Sequence, residues 1–272
     1  MRVRVGIVLL CSALVAVGRG NNPSAAEQAK AGRYLDAVRT FADKALRHGR
    51  DTYGPKQTPL FVDGLNVDTL EPPVWLCNGE RWILSNQASQ QNLFRALVGL
   101  SATTGDPKYR QAATDAIAYM FARLQEPCGL LRWGGHTFYD ALGERVVGEG
   151  KNPVHEFKHH YPFYELMNEV NPQATRRLIE GVWQGHVLRW DILDFNRHST
   201  YKTVAGGKLW DNEYVGGKVP FEGHGLTFMM SGTDLIYAAA MLHRFTGEEK
   251  PLIWAKRLAG RYHIPDIHSS RS

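Results

Sequence analysis

Cysteine is scarce in this chain, which has three cysteines among 272 residues. No two of them have the CxxC spacing of a structural zinc site, so that kind of metal centre is excluded. Cys11 lies in a hydrophobic N-terminal run, which leaves Cys77 and Cys128 for the folded part. An oxidising compartment would allow these two to pair, and two buried thiols are an equal alternative. We therefore assign the cysteines no chemical role.

Several motifs of common enzyme classes are missing as well. The chain has no GxSxG nucleophile elbow, no phosphate-binding glycine loop and no dinucleotide fingerprint in a fitting context. The formal net charge is only +5, and it falls to about +3 if Arg2 and Arg4 are removed with a leader. Such a small excess does not indicate nucleic-acid binding, although it is compatible with an acidic substrate.

The N-terminus has an apolar run from Val5 to Val17 that is preceded by two arginines. The run is shorter than the ~20 residues that a membrane-spanning helix needs. A basic start, an apolar centre and small residues after it are typical of a secretory signal peptide. We expect residues 1–20 to be removed on export to the periplasm or the medium, with no membrane segment in the mature protein.

Apolar residues recur every three or four positions in several segments, which predicts helices. The first is Ala25 to His48, and the segments 89–103 and 107–124 predict a helical hairpin with Pro107 in a first turn. A second hairpin is predicted over 158–188. The pattern of the first hairpin returns at a constant offset, which predicts a third: Leu93, Leu100 and Ala113 correspond to Leu235, Leu242 and Ala255.

Helix pairs with one apolar stripe each need neighbours that bury the stripe. We therefore predict an all-α fold, a partial (α/α) toroid or barrel formed by one catalytic domain over residues 25–272. A closed ring needs more than three hairpins and a single helix, so we expect the toroid to be incomplete at its C-terminus. An open solenoid is the alternative. The long connectors, residues 50–86, 125–154 and 191–230, are expected to be functional loops.

Histidines are concentrated in and beside these connectors, in three clusters: 133–136 (WGGH), 155–160 (HEFKHH) and 196–198 (NRH). We predict that His136, Glu156 and His198 bind a metal ion, because two imidazoles and a carboxylate favour a first-row transition ion over calcium. The two glycines before His136 allow a close approach of the backbone. Taken singly, each histidine is more often a hydrogen-bonded loop residue, and His155 is the reserve ligand for Glu156.

Arg197 directly precedes His198, so a metal ion bound there would lie close to a guanidinium group. A free arginine side chain has a pKa above ~12 in water and is no base. Desolvation and a neighbouring divalent cation make the neutral form of such a group easier to reach. Arg197 is therefore a candidate for proton abstraction, and a clamp for a substrate carboxylate is the alternative.

Aromatic and basic residues near the clusters are candidates for contacts with a carbohydrate polymer. The candidate substrate-binding residues are Trp133, Tyr201, Lys202, Trp210 and His224. The same connector also contains Lys208 and Lys218. The alternatives are that the rings belong to the hydrophobic core and that the basic side chains form a solvated loop face.

Carboxylates in the same region keep two other functions open. A glycoside hydrolase needs a pair of carboxylates, and the candidates are Asp140, Glu165, Asp194 and Asp211, although nothing selects two of them. A non-catalytic carbohydrate-binding protein is the other alternative. An unsaturated product would distinguish a lyase from a hydrolase, and binding without turnover would indicate the third class.

Three segments resemble polysaccharide lyase family 2, the pectate disaccharide-lyases: 133–136 (WGGH), 155–166 (HEFKHHYPFYEL) and 194–198 (DFNRH). The resemblance extends over most of the chain after the leader. It implies an (α/α) barrel that cleaves polygalacturonate or oligogalacturonides by β-elimination with a divalent transition metal ion, Mn²⁺ being the first choice. By this resemblance His136, Glu156 and His198 match the metal ligands, and Arg197 matches the base that takes the proton from C5 of the uronate.

The chain departs from the family in one respect. Members are considerably longer and use a lysine from a later part of the barrel, for which these 272 residues offer no counterpart. The resemblance therefore implies an N-terminal part of such an enzyme, with the metal pocket present and turnover left open.

Overall fold

The computed structural model describes residues 24–77, 79–148, 154–157, 160–202, 208–217 and 229–262. The predicted leader and the candidate residues Lys218 and His224 lie outside these ranges. The chain divides into two compact units between Arg39 and Thr40. The first unit contributes the beginning of one helix with mostly exposed side chains, and the helical hairpins, sheets and site residues described below belong to the second.

The predicted helices are confirmed, since the described residues contain seven α-helices close to the expected positions. They are α1 Ala25–His48, α2 Gln91–Thr104, α3 Pro107–Arg123, α4 Tyr164–Val170, α5 Pro172–His186, α6 Met229–Thr246 and α7 Glu249–Arg261. Helix α2 packs on α3, α4 on α5, and α6 on α7, so the three hairpins are also confirmed. Of the helices in the described ranges, none combines the length and apolarity needed to cross a membrane.

Local sequence explains where the hairpins turn. Helix α2 ends at Gly105, whose φ of 75° lies in the left-handed region that glycine adopts most readily. The side chain of Asp106 then accepts a hydrogen bond from the first turn of α3, which begins with Pro107. Asn171 caps α5 in the same way and is followed by Pro172. The first two hairpin turns thus each have a capping residue and a proline where the next helix begins.

The prediction of an all-α fold is wrong, because the connectors contain strands. The described residues have nine strands in four small antiparallel sheets. They are β1 Trp75–Cys77, β2 Glu80–Trp82, β3 Leu84–Ser85, β4 Thr137–Asp140, β5 Arg145–Gly148, β6 His155–Glu156, β7 Val187–Arg189, β8 Asp194–Phe195 and β9 His198–Ser199. Buried connectors have to pair their backbone N–H and C=O groups, and short ladders of strands do so.

One of these sheets determines where the predicted site residues lie. Strands β6 and β9 pair antiparallel, with Glu156 opposite His198 and His155 opposite Ser199. The N–H of Phe157 extends the ladder by donating to the carbonyl oxygen of Arg197 at 2.8 Å. Residues that are about 40 positions apart in the chain therefore become direct neighbours.

A cluster of tryptophan rings joins the second and third hairpins. Trp183 on α5, Trp254 on α7 and Trp190 and Trp210 in the connector have ring centroids 4.9 to 6.5 Å apart. The indole N–H of Trp183 donates to the carbonyl oxygen of Leu235 on α6 at 3.0 Å. Trp183 is completely buried, as expected for a core residue, and Trp210 is also buried in this cluster.

The two cysteines within the described ranges are free thiols rather than a disulfide. Cys77 is partly buried and Cys128 is buried. Burial raises the pKa of the Cys128 thiol, so its reactive thiolate form is disfavoured.

Candidate metal centre

The loop that carries His136 is held by a side-chain clamp. The N–H of Gly134 donates to Oδ1 of Asn86 at 3.1 Å, and Nδ2 of Asn86 donates to the Gly134 carbonyl oxygen at 2.7 Å. Gly134 has a φ of 114°, which an L side chain would strain. A single asparagine thus satisfies both backbone groups of this glycine and fixes the loop two residues before His136.

Gly135 makes room for the carboxylate of Glu156. A Cβ atom at position 135 would lie 1.6 Å from Oε2 of Glu156, far inside the van der Waals limit. The expected close approach therefore has a specific partner, which is the side chain of Glu156. Only a residue without a Cβ atom allows His136 and Glu156 to face the same space.

The three predicted metal ligands converge. Nε2 of His136 lies 3.9 Å from Oε2 of Glu156, and Nε2 of His198 lies 3.5 Å from Oε1 of the same carboxylate. The two imidazole rings meet edge to face with centroids 5.1 Å apart. One ligand atom from each residue lies within 4.8 Å of the other two, a spacing that allows all three to reach one ion. The ion could then replace the contacts that the three groups now make with one another.

The three proposed ligands differ in how far they are buried. The side chain of Glu156 is 1% exposed, whereas those of His136 and His198 are each 32% exposed. The carboxylate therefore lies beneath the two imidazoles, which border the solvent. A ligand that arrives from solvent would meet the imidazoles first, and the buried charge would hold a cation beneath them.

The protonation of His198 suits a metal ligand. Desolvation lowers the pKa of its imidazole, and the neighbouring charge of Arg197 lowers it further. A neutral imidazole is the form that binds metal ions. Nε2 of His198 is also buried and makes no hydrogen bond to any residue in the described ranges. The donor set of two imidazoles and one carboxylate therefore fits a first-row transition ion.

Arg197 lies beside the same carboxylate. Its Nε is 3.7 Å from Oε1 of Glu156, and its side chain is 38% exposed. The guanidinium thus has one edge at the site and another toward solvent. This position suits a group that acts on a substrate which enters from the open side.

His155, the reserve ligand, is not part of the cluster. It is completely buried, and its ring nitrogens face Trp133 and His186 rather than the three converging groups. Burial lowers the pKa of His155 well below its usual value and that of His186 to about 4, so both rings are neutral. Sequence analysis did not single out His186. The signal that could have indicated it is a polar residue at the buried end of the amphipathic helix α5.

The candidate substrate-binding residues within the described ranges do not form one surface. Trp133 is completely buried and donates from its indole N–H to His155 at 2.9 Å, so its ring offers no face to a polymer. Trp210 is buried in the tryptophan cluster, and Tyr201 packs its ring under Arg132 at 3.8 Å. Lys202 is exposed. His224 lies outside the described residues. The alternative interpretation, that Trp133 and Trp210 belong to the hydrophobic core, therefore describes them better.

Three of the four carboxylates considered for a hydrolase have separate partners. Asp140 accepts hydrogen bonds from three backbone N–H groups in the loop after β4 and at β3. Glu165 accepts from Tyr237 and lies near Arg244, and Asp211 forms an ion pair with Lys250. Oδ1 of the fourth, Asp194, is buried and has no hydrogen-bond partner among the described residues. The contacts of the other three are structural, so no acid–base pair is favoured.

Residues 58–268 match the family model described as periplasmic pectate lyase. The chain belongs to this family. The resemblance noted from the three segments is thereby confirmed. The converging residues His136, Glu156, Arg197 and His198 all lie within the matched range of this pectate lyase family member.

A curated relative supports the same family. The pectate disaccharide-lyase of Dickeya dadantii (strain 3937) is 37% identical over 241 residues, which cover 85% of this chain and 44% of that protein. The chain therefore spans less than half the length of this relative.

The close approach at Gly135 leads to a prediction. Replacing Gly135 with Ala should displace the Glu156 carboxylate and lower Mn²⁺ content by about tenfold or more, as expected when a ligand is badly oriented. Elemental analysis after dialysis against Mn²⁺ measures this. Gly99→Ala is the matched control, because its Cβ would meet nothing within 4 Å. Equal Mn²⁺ content in both variants would contradict the role of Gly135.

Proposed function

We propose that this chain forms the metal-binding part of a lyase that cleaves polygalacturonate or oligogalacturonides by β-elimination. The observation that carries the proposal is the convergence of His136, Glu156 and His198, with Arg197 beside them, in a member of the periplasmic pectate lyase family. The name of the Dickeya relative, pectate disaccharide-lyase, suggests release of disaccharides. The slight positive net charge is compatible with an acidic polymer.

The proposal assigns the metal to His136, Glu156 and His198. Two nitrogen donors and one oxygen donor suit Mn²⁺ or a neighbouring first-row ion better than calcium, which prefers oxygen donors alone. A divalent ion held there would supply positive charge for the substrate carboxylate and so stabilise the negative charge that develops when the adjacent proton leaves. The three side chains would bind and orient the ion, while the buried carboxylate offsets part of its charge.

Arg197 is assigned as the base. β-Elimination breaks the C5–H bond of a uronate, forms a C4=C5 double bond with those electrons, and breaks the C4–O bond to the leaving sugar, whose oxygen takes a proton. Arg197 would accept the C5 proton, a step that requires its guanidine in the neutral form. Its Nε lies 3.7 Å from Oε1 of Glu156 and its side chain is 38% exposed, which supports a role beside a substrate that enters from solvent.

Export and domain organisation belong to the same proposal. Residues 1–20 would act as a secretory leader, and residues 25–272 would form one catalytic domain. The family is described as periplasmic, which agrees with export.

The proposed reaction is tested with polygalacturonate by ultraviolet absorbance, since only elimination forms the conjugated C4=C5 double bond. We expect absorbance to rise with Mn²⁺, to stop after a chelator is added, and to return when Mn²⁺ is restored. New reducing ends without the double bond would indicate hydrolysis and contradict the proposal. Mn²⁺ binding with no turnover would contradict the activity and leave the metal centre standing.

Arg197→Ala should lower the rate of elimination by about 100-fold or more, the usual contribution of a general base. Mn²⁺ content should not change, because the proposed ligands are intact. Stopped-flow absorbance and elemental analysis measure the two quantities. Arg189→Ala, which removes an exposed arginine paired with Asp191, is the control. A raised KM with an unchanged kcat would assign Arg197 to substrate binding instead.

His198→Ala should lower Mn²⁺ affinity by more than about 100-fold, because even changes beyond the direct ligands cost 10- to 100-fold. Isothermal titration with Mn²⁺ measures the affinity. His243→Ala serves as the control, since His243 lies on α6 and its Nδ1 bonds the backbone of Glu248. Unchanged affinity in His198→Ala would exclude this residue as a ligand.

A further inference from the structure

We infer that a buried chain of hydrogen bonds through Trp133, His155, His186 and Asn196 positions the three segments that carry the metal ligands. These are positioning residues, since they act through the ligands and not on the substrate. The inference rests on the proposed metal centre.

The chain of hydrogen bonds is continuous and buried. The indole Nε1 of Trp133 lies 2.9 Å from Nε2 of His155, and Nδ1 of His155 lies 2.8 Å from Nε2 of His186. Nδ1 of His186 lies 2.7 Å from the carbonyl oxygen of Asn196. Trp133, His155 and His186 are each 0% exposed, so water does not compete for these bonds.

The two ends of the chain determine the direction of every bond in it. A carbonyl oxygen only accepts, so His186 must donate from Nδ1 and leave Nε2 as an acceptor. His155 must then donate from Nδ1, and its Nε2 is left to accept from the Trp133 indole, which only donates. Every ring nitrogen is satisfied with both histidines neutral. A proton added to either ring would place two N–H donors opposite each other.

Each end of this chain of hydrogen bonds lies within three residues of a proposed metal ligand in the sequence. Trp133 is followed after two glycines by His136, and His155 directly precedes Glu156. At the other end Asn196 is bonded twice to His186, because its N–H also donates to the His186 carbonyl oxygen at 2.9 Å. The side-chain Oδ1 of Asn196 then accepts from the N–H of His198 at 3.1 Å. The chain therefore links the ligand segments to one another and to the end of α5.

This linkage explains why two histidines outside the ligand set are buried here. His136 and Glu156 lie in the connector between α3 and α4, and His198 lies in the connector after α5. The paired strands β6 and β9 orient only Glu156 and His198 relative to each other. The Trp133–His155 bond adds the third segment. Loss of that bond would leave the buried Nε2 of His155 without a donor and allow the His136 segment to shift, which weakens a metal site that depends on geometry.

Trp133→Phe is the sharpest test, because it removes one N–H and keeps a large buried ring. Trp183→Phe is the matched control: it also removes an indole N–H from a completely buried ring, here one bonded to Leu235 at 3.0 Å. The Kd for Mn²⁺ is measured from the electron paramagnetic resonance signal of free Mn²⁺, together with the Tm of each metal-free variant. We expect Trp133→Phe to raise the Kd about tenfold and Trp183→Phe to leave it unchanged, at similar losses of Tm.

A second variant interrupts the chain at its centre. His186→Asn can still donate toward Asn196 but is too short to accept from His155, and we expect the same rise in Kd. If Trp133→Phe does not fold, this variant carries the test against the same control. Equal Kd values for the wild-type protein, the variant tested and the control would overturn the inference and leave the metal centre intact. Failure of the wild-type protein to bind Mn²⁺ would overturn the metal centre itself and the inference with it.

Discussion

The buried carboxylate of Glu156 is the constraint on which the rest of the site depends. A carboxylate that is almost completely removed from water is costly unless cations or hydrogen-bond donors surround it. Here the side chains of His136, Arg197 and His198 lie 3.9, 3.7 and 3.5 Å from its oxygen atoms. Gly135 has no Cβ atom and so leaves room for the Glu156 carboxylate. The arrangement concentrates negative charge at the base of an opening bordered by imidazoles, which is a favourable environment for a divalent cation.

The connectors position Glu156 and the side chains around it, although the helices form most of the fold. Helices α2 to α7 supply the packed surfaces, and the connectors between them cross those surfaces as short paired strands. Strand pairing has a fixed register, so it places Glu156 opposite His198 more exactly than an irregular loop would. The clamp of Asn86 on Gly134 performs the same task for the third ligand segment. Loops that bear functional residues thus gain rigidity from hydrogen bonds.

Sequence reasoning succeeded where the signal is local and periodic. The helices and their turns could be predicted because apolar spacing, Asp106 and Asn171 as caps and the prolines after them act over a few residues. The all-α fold was wrong because strands of two to four residues are too short to show a period of two. Trp133 was proposed for substrate contact, although its indole is committed to His155. Residue type could not reveal that commitment, since a partner 22 residues away is invisible to local pattern.

The sequence by itself determined the helical hairpins, the types of ligand available and the family to which the chain belongs. Only the tertiary structure decided which histidines share a site. His136 and His198 face Glu156, whereas His155 and His186 face each other in the interior. The physical reason is that ligand geometry depends on strand register, on the space beside Gly135 and on buried hydrogen bonds between distant segments. Those are properties of the packed chain, and no short stretch of residues contains them.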